Sequence, residues 1–185
     1  LKLSLVSLAV STALFAGNYN VDASHTNAGF TVKHMMITNV TGKFNDVAGT
    51  FEFDEKTNTL KSINGEIVVA SINTANEKRD EHLKAEEMFD VAKFPKITFK
   101  STKIEKDAVY GDFTMKGVTK NIKLDLETSS VIKDPWGKQR TGFSLNGKIK
   151  RSDFGLTWNK ALETGGVAVS DEVKLAIDIE GVLAQ

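Results

Sequence analysis

Arg79, Asp80 and His82 fall within four residues of one another in the stretch "RDEHLKAEEMFDVAKFPKITFKST" (Arg79 to Thr102). A base, an acid and an imidazole at this spacing raise the question of a catalytic cluster. His25 and His34 are the other two histidines, so a Ser-His-Asp arrangement is conceivable around any of the three. No nucleophile elbow accompanies them, and scattered Ser and Asp carry little weight without one. None of the histidines stands four residues from another, the helical spacing that would aim two imidazoles at one metal. "SDFG" (Ser152 to Gly155) contains Asp-Phe-Gly but lacks the glycine-rich and catalytic loops that give that motif meaning in kinases. "ETGG" does not join a strand to a helix as a phosphate loop does. We therefore expect no enzyme, no catalytic residue and no metal. "NVT" (Asn39 to Thr41) has the form of a glycosylation acceptor, a pattern that arises by chance.

Composition narrows the classes further. The chain has 185 residues, enough for one domain with a real core. It is 41% hydrophobic and 26% charged, which reads as globular. Lys plus Arg and Asp plus Glu number 24 each, so the overall balance makes no electrostatic case for nucleic acid or for an anionic membrane surface. The absence of cysteine removes disulfides, thiolate metal sites and thiol nucleophiles together.

"LKLSLVSLAVSTALFAG" opens with Lys2 and an apolar run from Leu3 to Phe15. The run is too short to span a bilayer. It suits the apolar region of a secretory signal peptide covering residues 1–16, with cleavage after Ala16 and a truncated basic start. A first strand or a buried helix is the alternative. Removing Lys2 leaves one more acidic than basic residue. A periplasmic or secreted location follows, with residues 17–185 as the mature domain and no stable membrane insertion.

That domain is written almost wholly in period two. "AGFTVKHMM" puts Phe30, Val32, His34 and Met36 on one face. "VAGTFEFD" aligns Phe51 and Phe53, and "INGEIVV" aligns Ile63, Ile67 and Val69. "ITFKS" supplies Phe99, "VYGDFTMK" Phe113 and Met115, and "FSLNGKIK" Phe143 and Leu145. "IKLDLE" and "VKLAIDIEG" alternate in the same way. Strict alternation argues half-buried antiparallel strands. Eight such segments and a short opening strand at Tyr19–Val21 suit an all-β closed barrel or a sandwich. Neither a linker nor an internal repeat interrupts them.

Gly49, Gly65, Gly111, Gly147 and Gly181 all share the inward parity. Glycine weakens a strand, so its repetition needs a cause. Tight bending of the sheet is one, and we favour it as the main one. Room inside the barrel is the other, and an eight-stranded barrel can hold one slender ligand.

The opening cluster then belongs to an insertion. "TANE" (Thr74 to Glu77) fits a capping box with Thr74 as N-cap. A short helix near residues 75–85 follows, with Arg79, His82, Leu83 and Glu86 on one face and an Asp80–Lys84 pair on another. Pro95 then opens a strand. Such an insertion closes one end of a barrel or covers its mouth. Arg79 and His82 either fix it there or meet a ligand head group. His34 is either a satisfied buried histidine or a polar contact along the lumen. "FGLTWNKALETGG" (Phe154 to Gly166) is a second interruption, in which Trp158 packs in the core or lines the mouth. "DPWGK" is a turn whose Trp136 either flaps over a mouth or stands exposed at a dimer contact.

At this level the chain resembles the YceI-like domain family of secreted bacterial lipocalin-like barrels. "YNVDASHTNAGFTVKHMM" resembles its opening, through His25 and His34. "TGKFNDVAGTFEFD" resembles its second block. "SINTANEKRDEHLKAEEMFDVAKFPKITFKST" is the most specific part, through Arg79-Asp80, His82-Leu83, Phe89-Asp90 and Pro95 to Thr102. "GDFTMKGVTKNIKL" and "KIKRSDFGLTW" resemble later blocks, and the likeness runs from about Tyr19 to Val182. Met88 stands where the family commonly has an aromatic. The resemblance implies an extended eight-stranded antiparallel lipocalin-like barrel with a long apolar lumen. It implies a bound polyisoprenoid, quinone or fatty amphiphile, a periplasmic setting and a homodimer.

On that basis the expected lipid contacts are Phe30, Val32, His34, Met36, Phe51, Ile67, Val69, Phe99, Phe113, Met115, Phe143, Leu145 and Trp158. Arg79 and His82 would meet the head group. Burying an alkyl chain gains roughly 0.8 kcal/mol per methylene, enough for a chain of a dozen carbons to overcome the cost of association. The alternative is a stress-related interaction protein whose barrel is filled by its own side chains. A hydrolase acting on a bound lipid comes third.

Overall fold

The alternating segments become strands because each buries one face and wets the other. The computed structural model describes residues 16–163 and 165–185, so the expected signal segment lies outside the described residues except for Ala16. The elements are β1 (Ala16–Val21), β2 (Asn27–His34), β3 (Thr38–Phe44), β4 (Val47–Asp54), β5 (Thr59–Val68), β6 (Ile72–Asn73), α1 (Glu77–Lys84), β7 (Lys96–Ile104), β8 (Ala108–Met115), β9 (Val118–Thr128), β10 (Ile132–Lys133), β11 (Gln139–Lys150) and β12 (Val169–Leu183).

Eight walls close into an antiparallel barrel. β1 and β2 lie end to end along one edge of β12. β3 and β4 form the next wall, pairing with β2 and β1. β5 and β6 form the third, pairing with β4 and β3. β7, β8, β9 and β11 follow in order, and β11 closes the ring on β12. Register shifts at Glu52/Phe53, Ser101/Lys103 and Val169/Val173 bend the walls. β12 sets the height. His34 pairs with Val169 at one end, and Arg140 pairs with Val182 at the other. At about 3.3 Å per residue these ends lie roughly 40 Å apart.

β3 is absent from the period-two reading. Its sequence, TNVTGKF, is short, polar and interrupted by Gly42. Phe44 is buried, and Gly42 has no side chain because the Phe30 ring lies over it.

The interior divides into two halves. Towards the Arg140 end Tyr19, Phe51, Phe53, Leu60, Val109, Leu124, Leu126, Phe143 and Leu145 form one packed cluster. Tyr19 stacks on Phe51 at 5.2 Å, and Phe143 meets Phe51 edge-on at 5.0 Å. Towards the His34 end the inward Phe30, Val32, Ile67 and Leu175 remain only half-buried, because they face a hollow.

Two of the inward glycines, Gly111 and Gly181, make room for rings. A Cβ on Gly181 would lie 2.4 Å from the Phe51 ring, and one on Gly111 would lie 2.3 Å from Phe99. Neighbouring rings therefore use the room that these glycines leave. Gly65 is different: a Cβ there meets nothing within 4 Å.

Candidate functional site

An apolar cavity of about 290 Å³ occupies the half of the barrel nearest His34. Its wall is built by Phe30, Val32 and His34 of β2, Ile67 of β5, Phe113 and Met115 of β8, and Val173, Leu175 and Ile177 of β12. A void of about 70 Å³ lies beneath it, lined by Gly65, Phe99, Phe143 and Leu145. Ala28, Ile67, Ile97, Phe113, Leu175 and Ile177 line both spaces. An apolar cavity of about 150 Å³ in another protein stays dry and takes benzene. A larger space lined in the same way favours a hydrocarbon guest over water.

Two insertions roof the cavity. The first runs from α1 to β7 and presents Leu83, Met88 and Phe89. Helix α1 starts after Asn76, whose side chain accepts from the Arg79 N–H at 3.0 Å. Thr74 is therefore not the cap. Ala75 has a left-handed φ of 60°, which prevents the helix from beginning at that residue. Thr74 instead turns inward and donates from its hydroxyl to Asp80 Oδ1 at 2.6 Å. Asp80 is thereby used, and Lys84 pairs with Glu81 at 3.0 Å rather than with Asp80.

Arg79 holds the insertion to the barrel. Its Nε donates to Thr74 Oγ1 and its Nη2 to the Thr74 carbonyl, both at 2.7 Å. It also lines the cavity, and no carboxylate lies within salt-bridge distance of it among the described residues. Anchoring and ligand contact are thus compatible for this side chain.

The second roof is the loop after β11. Arg151, missed by the sequence reading, is buried beneath it. Its guanidinium donates to the carbonyls of Leu156 and Trp158 at 2.8 Å each and of Ser170 at 3.0 Å. Burial lowers its basicity, with Asp171 opposing that effect. Such a residue is invisible to periodicity, because its partners are backbone carbonyls of irregular loop segments on either side of the turn, not side chains at a regular spacing. Leu156 and Trp158, positioned this way, reach the cavity.

The roofs meet where the His82 ring stands edge-on to Trp158, centroids 5.0 Å apart. His82 Nε2 lies 3.2 Å from Glu87 Oε1. The His34 ring lines the cavity with no hydrogen-bond partner among the described residues, so it is not a satisfied core histidine.

Several expected contacts fall elsewhere. Met36 is 56% exposed, because β2 ends at His34 and the chain turns outward before alternation can carry Met36 inside. Val69 is buried in a 3-10 turn beyond the end of β5, within the packed core and off the cavity wall. Phe51 is locked into the filled half. Phe99, Phe143 and Leu145 face only the smaller void. Trp136 is 82% exposed on the β10–β11 hairpin, at the end opposite the cavity, so it is no flap over this mouth.

At that opposite end Arg140 gathers three carboxylates. Its Nη1 donates to Asp22 and Glu180, and its Nε to Asp134, each at 2.7 Å. Asp22, His25 and Glu180 have ligand atoms close enough to share a metal ion. The guanidinium already supplies positive charge to both acids, so the arrangement reads as a structural clasp.

Residues 19–181 match the YceI-like domain family. The chain belongs to that family. A UPF0312 protein of Yersinia enterocolitica is 36% identical, with 98% of each chain covered. The crystal structure of the Campylobacter jejuni YceI protein is 38% identical with a TM-score of 0.70, covering 89% of this chain and 96% of that one. A polyisoprenoid binding domain from Saccharophagus degradans shares the fold, with a TM-score of 0.66 at 16% identity and 90% and 98% coverage. This barrel fold and its apolar cavity point to binding rather than catalysis. No helix among the described residues is long and apolar enough to cross a membrane.

Proposed function

We propose that this YceI-like protein is a periplasmic or secreted carrier of one long-chain amphiphile: a polyisoprenoid, an isoprenoid quinone or a fatty acid derivative. One observation carries the reading. The barrel half next to His34 is an unfilled apolar cavity of about 290 Å³ with polar groups only near its roof. A hydrocarbon chain gains burial there, while Arg79, His34 and His82 stand where a polar end would emerge. The polyisoprenoid binding domain of the same fold supports the class of guest. The apolar run from Leu3 to Phe15 supports export.

The filled half sets a limit on the guest. Tyr19, Phe51, Phe53 and Phe143 occupy the far interior, so the chain threads the upper half and at most the void beside Gly65. A fully filled barrel working only through its surface does not account for the cavity.

The test is extraction. Protein purified without detergent is denatured, and its organic extract is analysed by mass spectrometry. About one hydrophobic molecule per chain is expected. No extractable molecule, together with no uptake of added isoprenoid or fatty acid, overturns the proposal.

A further inference from the structure

The β2–β3 hairpin ends in three consecutive apolar residues, all turned to solvent. Met35 is 43% exposed, Met36 56% and Ile37 81%. Surface turns ordinarily carry Gly, Asn, Asp or Ser. Here Met35 and Met36 both hold left-handed backbone, with φ of 49° and 61°. Tight hairpins requiring that conformation favour Asn-Gly strongly. Methionine twice in succession sacrifices both turn propensity and solvation, which calls for a reason beyond the turn.

The tip is not a loose end. The Ile37 N–H closes the turn on the His34 carbonyl at 3.0 Å, and the Met35 N–H donates to Ala168 at 2.8 Å. The backbone therefore presents the three side chains outward in a fixed way. They sit at the rim of the cavity: His34 immediately before the tip and Val40 just after it both line that space, as does Ala168. Lys33 and Lys160 flank the tip, exposed and without an ion-pair partner among the described residues. Glu163 is the acidic residue on the same loop as Lys160, and the facing roof exposes Glu81, Glu86 and Glu87, so the positive charge is local to the tip of a chain whose overall charge is balanced.

We infer that the tip formed by Met35, Met36 and Ile37 docks on an anionic phospholipid bilayer, bringing the cavity mouth to the surface from which a guest is drawn. The inference rests on the carrier reading and adds the source of the guest. Apolar side chains enter the boundary between head groups and acyl chains, and lysines beside them meet the negative surface. A contact of this size is reversible and weakened by salt.

The experiment uses the full mature chain and vesicles of phosphatidylglycerol and phosphatidylethanolamine. Co-sedimentation is measured for the wild type, for the double variant Met36→Glu/Ile37→Glu, and for Trp136→Glu at the opposite end as a control of comparable exposure. Unfolding midpoints verify that each variant is folded. Binding of a fluorescent fatty acid free in solution is measured in parallel. The wild type and the Trp136 variant are expected to sediment with vesicles at low salt, and the double variant to bind at least tenfold more weakly. Equal vesicle binding by the double variant overturns the inference. So does a wild type that ignores vesicles, whether it stays monomeric or forms a dimer that the double variant breaks. A wild type that binds vesicles through the tip but takes up no fatty acid supports the tip and removes the carrier reading.

Discussion

The rings of His82 and Trp158 meet edge to face at 5.0 Å and join two insertions that are otherwise separate in the chain. His82 belongs to α1, held by Arg79 on Thr74. Trp158 belongs to the loop held by Arg151. The pair thus latches the roof of the cavity. An aromatic pair of this geometry is worth about 0.5–1.5 kcal/mol. Trp158→Ala is expected to speed release of a bound fluorescent amphiphile by roughly two- to tenfold, the kinetic equivalent of that range. Stopped-flow displacement measures it, and an unchanged release rate would remove the latch.

Arg79 joins anchoring to a charge beside the cavity that no carboxylate pairs among the described residues. A hydrogen bond to a charged group contributes about 1.5–3 kcal/mol. Arg79→Gln is therefore expected to weaken binding of a fatty acid by about tenfold or more. The alcohol of the same chain length should change little. Calorimetric titration of both guests checks this, and equal losses for the two would assign Arg79 to anchoring alone.

Gly65 and Gly181 look alike in sequence and differ inside the barrel. Gly181→Ala drives a methyl to 2.4 Å from the Phe51 ring, which Tyr19 and Phe143 hold in place. Overpacking of that kind costs about 1–3 kcal/mol. Gly65→Ala meets open space and is expected to be neutral or stabilising by about 0.4–1 kcal/mol, through a stiffer unfolded chain. Urea unfolding of the two variants separates them, and similar losses would contradict the void beside Gly65.

The Arg140 clasp is expected to show in acid. Hydrogen bonds from Ser24, His25 and Arg140 hold the Asp22 carboxyl well below the usual carboxylate range, and Arg140 lowers Asp134. A carboxylate whose folded pKa is depressed contributes stability that is complete above its unfolded value, about 3.9. That contribution disappears as pH falls through the folded value. Thermal midpoints should thus drop between about pH 4 and pH 2. Arg140→Gln should be less stable at pH 7, with a shallower acid dependence. Parallel curves for the two proteins would contradict the assignment.

Much of the barrel was legible because a half-buried strand must alternate. Phe113 and Met115 face inward as their parity requires. Alternation fails where a strand ends, and Met36 illustrates this: parity continues on paper while the backbone turns at Met35. It also fails for β3, whose inward face includes the vacant Gly42. The glycines were legible as inward, but only the tertiary packing distinguishes Gly65, beside a void, from Gly181, beneath a ring. The capping-box pattern points to Thr74, and the left-handed Ala75 after it, which the sequence does not announce, moves the cap to Asn76. Arg151 binds loop carbonyls and Arg140 joins Asp134 to the remote Asp22 and Glu180, so no regular spacing announces either residue.

The most direct test is a length series. Saturated fatty acids of increasing chain length are titrated into delipidated protein by calorimetry. If the cavity receives the chain, binding is one guest per barrel and strengthens by up to about 0.8 kcal/mol per methylene until the space beside Gly65 is reached, then levels off. Affinity that is absent or indifferent to chain length would contradict the hollow barrel as the working part of the molecule.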